Sequence, residues 1–285
     1  MSETYAPTRR SNKVADWVET TALSRRTSLG SDLLHQLGRD VGYSQSDVAL
    51  GLTTMSRRAS LLEAAYPFRV GGGGAAATAD PHTAPWTALL LMSAESPARR
   101  ALDIPAAAAH LERVTASALR SLFGPGTSSL RFGAGEEGRP AAFSEAIKWL
   151  AGMMHVPVGT AYRPPHGKDG GVDVVAWRPF PDRRSGFPVL LAQCTLEKDF
   201  VQKAADVDVR VWAGYLRLDI EPYTALAIPD VVPAGEEWNA LAAKTVVLDR
   251  VRLAAMIPQE AHLDDDLRPV SRWAEERLEL MRAQE

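Results

Sequence analysis

One cysteine, Cys194, stands in the whole chain. That excludes an internal disulfide and any zinc site built from several thiolates. Its place inside an apolar stretch reads as a buried spectator rather than a reactive thiol. Long apolar runs are missing too. The richest, Trp86–Met92, falls far short of the ~20 residues that span a bilayer. The first residues carry Glu3, Arg9 and Arg10 around no apolar centre, so no secretory signal, no membrane partner and a cytoplasmic location are expected. Strong charge of one sign is also absent. The net charge of −3 gives no global attraction to nucleic acid. It is the sum of +2 over residues 1–139, −1 over 140–259 and −4 over 260–285, so any attraction to phosphate has to be local. No internal repeat is seen.

What is present is an ordinary globular composition over 285 residues, enough for one large domain or two small ones. Residues 1–135 read as a helical unit. Ser11 is a cap for a segment with Val14, Trp17, Val18 and Leu23, and Ser31 for one with Leu33, Leu34 and Leu37. Ser44 or Ser46 opens a third segment that ends at Pro67. A short strand at Phe68–Val70 then meets the Gly71–Gly74 turn. Three helices and a hairpin resemble a winged-helix unit, which would bring Arg57 and Arg58 to DNA. A helical adaptor with solvated arginines is the plainer alternative. Helices follow near Trp86–Met92 and Ile104–Phe123, the second after Asp103 with Pro105 in its first turn.

Residues 136–258 change pattern. A helix with Phe143, Ile147, Trp149 and Leu150 precedes expected strands at about 156–162, 171–177 and 188–194, then a helix over 199–216 and a strand at 223–228. A helix near 236–243 and a strand at 246–248 extend the sheet, and residues 259–285 hold an acidic amphipathic helix with Val270, Trp273, Leu278 and Met281. The expected fold class is α/β, a mixed sheet flanked by helices beside an N-terminal helical domain.

Two polar residues interrupt the apolar strands. Asp173 lies in Gly171-Val172-Asp173-Val174-Val175-Ala176-Trp177, and Gln193 near the end of Pro188-Val189-Leu190-Leu191-Ala192-Gln193-Cys194. Buried strands read as continuous apolar runs, so such residues are costly unless something binds them, and a divalent cation is one such partner. The order helix, three strands, helix, strand, with these residues in it, resembles the restriction-endonuclease-like PD-(D/E)xK superfamily over roughly residues 140–250. The resemblance implies Asp173 as the metal-binding aspartate of the second core strand and Gln193 at the Glu-or-Gln position of the third. It implies Glu145 as the acidic residue of the first helix. It further implies Mg²⁺ or Mn²⁺ as cofactor, with Asp173, Gln193 and Glu145 as its ligands, and DNA endonuclease activity. Carboxylate and amide oxygens suit such a hard ion, and the ion neutralises charge on a scissile phosphate.

The chain departs from that pattern at Thr195, where the superfamily carries a lysine. Lysine is scarce here, yet Lys168, Lys198 and Lys203 lie close to the motif. Lys203, about one turn into the following helix, is the expected displaced catalytic lysine, with Lys198 second; ordinary solvated helix residues are the plain reading of both. The wider arrangement resembles uncharacterised bacterial antiphage-defence nucleases, which implies DNA and a regulatory protein or a second copy as partners. The alternative is a catalytically degenerate module of the same fold that binds nucleic acid or protein. His166, Asp169 and Asp264–Asp266 read as loop, turn and helix-start residues.

Overall fold

A computed structural model describes residues 5–93, 102–133, 138–160, 170–258 and 265–283. Helix α1 (Arg9–Arg25) starts one turn earlier than the Ser11 cap expected. Thr8 is the cap and Ser11 closes the box, with Ser11 N donating to Thr8 Oγ1 at 3.1 Å and Thr8 N to Ser11 Oγ at 2.9 Å. Helix α2 (Ser31–Asp40) follows, and α3 (Gln45–Leu62) is capped by Ser44 with Asp47. Asp47 also takes both prongs of the Arg10 fork, at 2.9 and 2.8 Å, which ties the first turns of α1 and α3 together. The two helices cross so closely that a Cβ on Gly51 would lie 2.8 Å from Val14 Cγ1. Strands β1 (Phe68–Gly71) and β2 (Gly74–Ala77) form the hairpin, turned by Gly72 and Gly73 in the left-handed region.

Helix α4 (Pro85–Met92) buries every residue from Trp86 onward. The long α5 (Ile104–Leu122), capped by Asp103, then lies across a five-stranded sheet. Its strands run in chain order: β3 (Ser128–Arg131), β4 (Val174–Trp177), β5 (Val189–Cys194), β6 (Tyr223–Ala227) and β7 (Val246–Leu248). The β3–β4 and β4–β5 pairs are antiparallel, and the β5–β6 and β6–β7 pairs are parallel. Two expectations fail here. The strand expected at 156–162 is only an isolated bridge from Val158 to Leu216 among its described residues, and the sheet takes its outer strand from β3, before the helix α6 (Phe143–Met154). The helix expected over 199–216 is broken into α7 (Phe200–Lys203) and α8 (Val209–Tyr215), the latter restarted by Asp208, whose carboxylate caps the amides of Arg210 and Val211. Beyond β6 come α9 (Glu236–Ala242), α10 (Arg250–Met256) and α11 (Arg268–Arg282).

The strands are apolar on both faces, as buried strands should be. On one face Val174, Ala176, Leu190, Ala192, Ala225 and Ala227 join a core with α1, α3, α4, α5, α10 and α11. On the other, α6 and α8 cover Leu130, Val175, Trp177, Val189 and Leu191, while Phe200 and Leu241 cover Leu226 and Val247. The boundaries expected at 135/136 and 258/259 fall on or beside residues outside the described set. No helix among the described residues is long and apolar enough to cross a membrane.

Arg58 does not face solvent or DNA. It is fully buried, with Nη1 donating to Glu19 at 2.6 Å and Asp16 at 2.8 Å. Arg250 of α10, also fully buried, donates to Asp16 at 2.6 Å, and both guanidinium groups lie over the Trp86 ring, at 5.2 and 4.9 Å from its centroid. Tyr66 and Trp86 donate to the two Glu19 oxygens at 2.6 and 2.9 Å. Two carboxylates and two arginines thus neutralise one another where water is excluded, which is how buried charges persist.

Candidate functional site

Register places the expected pair together. Val174 pairs with Ala192 at the end of the antiparallel β4–β5 ladder, which leaves Asp173, the bend residue just before β4, beside the Gln193-Cys194 end of β5. Asp173 is clamped by its main chain. Its amide donates to Ala192 at 2.9 Å, and its carbonyl accepts from Phe132 at 2.6 Å and Gly133 at 3.2 Å. Its carboxylate Oδ2 accepts the Cys194 amide at 2.7 Å. The aspartate therefore sits at the mouth of the β3–β4–β5 group with a fixed direction.

Gln193 carries the most informative atom of the site. Its Nε2 donates to Asp206 Oδ2 at 3.3 Å, while its Oε1 is buried with no hydrogen-bond partner among the described residues. Exchanging the amide atoms would set two oxygens against each other at Asp206, so the orientation is chemically fixed. An unpaired buried carbonyl costs about 1–3 kcal/mol, and such an atom calls for a donor or a cation. Asp206 reaches it because the chain breaks between α7 and α8. The left-handed Gly171 sits under that break, where a Cβ would lie 3.3 Å from the Asp206 carbonyl. The neighbouring Gly170 carbonyl accepts from Trp212 Nε1 at 3.1 Å, which docks the approach to β4 on α8.

Lys203, at the end of α7, is joined to the same group. Its Nζ lies 3.2 Å from Glu197 Oε1 and 3.6 Å from Asp206 Oδ2, and the bond to Glu197 pushes its pKa up, so it stays protonated. The structure does not bring Lys198 there. Lys198 lines a separate cavity of about 180 Å³ beside Arg9, Lys13 and Glu237, at the start of α1. Thr195 is buried and structural: its amide donates to Ala227 at 3.0 Å and its Oγ1 accepts from the Glu197 amide at 3.1 Å. Lys168, Asp169 and His166 lie outside the described residues, as does Asp264.

Glu145 is likewise absent from the group. It is exposed on α6, and its partner is Lys148 one turn away, at 2.8 Å. The helix that packs on the strands beside Asp173 is α5, and its acidic residue is Glu112. A Cβ on Gly133 would stand 3.1 Å from Glu112 Oε2, and Gly133 itself bonds to Asp173. One turn on, Thr115 accepts from the Cys194 thiol at 3.5 Å. Burial, then the Asp173 charge and more weakly that of Glu112, push this thiol well above its ordinary pKa, so it is no nucleophile. Sequence reading missed Glu112, Asp206 and Glu197. Glu112 sits in an ordinary amphipathic helix, and only the strand order reveals which helix serves the site.

The donors near Asp173 are carboxylate and amide oxygens, a set suited to Mg²⁺ or Mn²⁺. No group of three His, Cys, Asp or Glu side chains gathers among the described residues in a way that would cage an ion unaided. No family model matches the chain, no curated protein matches its sequence and no solved structure matches its fold.

Proposed function

We propose that the chain is a metal-dependent endonuclease of the restriction-endonuclease-like kind, hydrolysing DNA phosphodiester bonds. The observation that carries this reading is that Asp173 and Gln193, whose buried Oε1 has no partner among the described residues, lie at the adjoining ends of two paired strands. The element order supports it in a corrected form: α5, then β3, β4 and β5, then α8 and β6, is helix, three strands, helix, strand, with α6 inserted between β3 and β4. In this reading Asp173 and Gln193 hold the ion, with Glu112, not Glu145, as the third oxygen donor. When bound, the ion neutralises phosphate charge and lowers the pKa of a water. The chain's own part is to fix these oxygens on rigid strands and to keep Lys203 protonated near the phosphate for the charge that builds up in the transition state.

The test is incubation of supercoiled plasmid, and of single-stranded circular DNA, with the full chain and Mg²⁺. Nicking or linearisation by the wild type, lost in Asp173→Asn, is the expected outcome. Cleavage by the variant at the wild-type rate refutes the assignment. The degenerate binding module keeps one specific support. Lys203 is held between Glu197 and Asp206, and Thr195 offers no cation. A wild type that binds DNA without cutting under any divalent ion decides for the module.

A further inference from the structure

The α5 surface beside Glu112 also bears Arg113 and Arg120. With Arg131 of β3, Ser129 and Trp149 of α6 they line a cleft of about 390 Å³. The cleft follows the open edge of the sheet, since β3 is the outer strand, and Arg131 pairs with Val174, the residue after Asp173. It therefore begins next to the candidate site. Two observations point to an anion as its occupant. Asp266, from the acidic end of the chain, lies in it with Oδ2 2.6 Å from Arg120 Nη1, in a half-exposed pair of the kind that exchanges readily. Ser129 Oγ is buried there without a partner among the described residues.

We propose that this cleft binds the phosphodiester backbone of a single nucleic-acid strand, with one base laid on Trp149, and that Asp266 stands in for the phosphate when no strand is bound. Guanidinium forks match phosphate geometry, and a half-buried indole offers the stacking surface that single-strand binders use. A space of this size admits about one nucleotide, comparable to small-ligand pockets. A duplex would touch only the rim. The inference rests on the reading of Asp173 and Gln193 as a phosphodiester site, since it supplies the strand on which that site acts.

The experiment measures fluorescence anisotropy of a short labelled single-stranded DNA with the full chain in EDTA, where no cleavage occurs. A matched duplex runs in parallel. Arg113→Gln and Arg131→Gln should each weaken single-strand binding about tenfold and flatten its salt dependence. Trp149→Ala should cost about tenfold, within the range for one stacked base. Asp266→Ala should tighten binding several-fold, a gain that misfolding cannot mimic. Losses in the first three with a gain in the fourth support the cleft. Equal affinity of all variants, duplex binding as tight as single-strand binding, or losses without the Asp266→Ala gain overturn it. Failure to cleave either the plasmid or single-stranded circular DNA with this binding pattern intact removes the nuclease reading alone. Cleavage by a chain whose cleft variants bind like the wild type removes the cleft alone.

Discussion

At the residue scale, Asp173 and Gln193 stood out as candidates because each interrupts an apolar run, Asp173 just before β4 and Gln193 near the end of β5. Lys203 stood out as a candidate because lysine is scarce and this one follows the motif closely. Glu112 did not, because a glutamate on an amphipathic helix carries no signal of its own. The site therefore makes opposed predictions for two glutamates. Glu112→Gln should lower plasmid cleavage at least tenfold, while Glu145→Gln, which breaks only an exposed pair with Lys148, should leave it unchanged. Lys203→Ala should cost about 10²-fold with DNA affinity little altered, the size expected for one electrostatic contact in the transition state. Lys198→Ala should cost nothing. Cleavage rates of the four variants decide between these roles, and an inactive Glu145→Gln would return the first-helix role to α6. His110 supplies a pH test. Its folded pKa of about 4 lies below the ordinary 6.5, so between those values the unfolded chain binds more protons. Its contribution to stability is complete above the ordinary value and is lost as pH falls through that window. Arg113→Ala removes part of the repulsion, so the His110 titration followed by NMR should move up toward 6.5, and the acid-side loss of stability should shrink. A midpoint that does not move contradicts the electrostatic cause.

At the scale of elements, the regular signals were readable. Ser44 and Asp103 cap their helices, Gly71–Gly74 turns the hairpin, and the alternation of faces in β4 and β5 followed from their apolar runs. The failures have physical reasons. β3 is a four-residue edge strand rich in serine, with no apolar pattern to announce it, whereas 156–162 looked apolar and yet pairs only at Val158. The break between α7 and α8 follows from Asp208, a cap inside an otherwise helical stretch, and it is what frees Asp206 to meet Gln193. Helix α10 escaped notice because its first residue is an arginine whose partner, Asp16, lies far away in sequence. That pairing makes a sharp prediction. Arg250→Met leaves Asp16 and Glu19 with one guanidinium between them in a dry interior, so unfolding free energy should fall by about 3–5 kcal/mol. Arg250→Lys should recover little, since an ammonium cannot span Asp16, the Pro229 carbonyl and the Trp86 face at once. Urea unfolding of both variants measures this, and a loss under about 1 kcal/mol for Arg250→Met would show that the network has another means of neutralising its carboxylates.

At the scale of the whole molecule, the expected division into a helical domain and a sheet domain meets a core that ignores it. The cluster on one sheet face contains Val14 and Leu34 together with Val174, Ala192, Ala225 and Leu278. Asn12 of α1 donates to the Val231 carbonyl after β6 at 2.9 Å, and Arg282 near the chain's end donates to Leu23 at the end of α1. Composition shifts show where the chain changes pattern. They do not show whether the two parts share a core, because that depends on which face of each strand is covered and by what. Removing α1 and α3 would expose the faces of α4, α10 and α11 that they cover, along with a buried arginine, and α10 in turn packs on α5 and β7. The helices should therefore not leave the sheet without melting it. We expect one calorimetric transition, with calorimetric and van't Hoff enthalpies equal, and amide protection of α3 and β5 lost at the same denaturant concentration. The Arg250→Met variant should move both together to lower denaturant. Two separated transitions, or protection in β5 that outlasts α3, would mean that the contacts of Asp16 with Arg250 join two units that fold on their own.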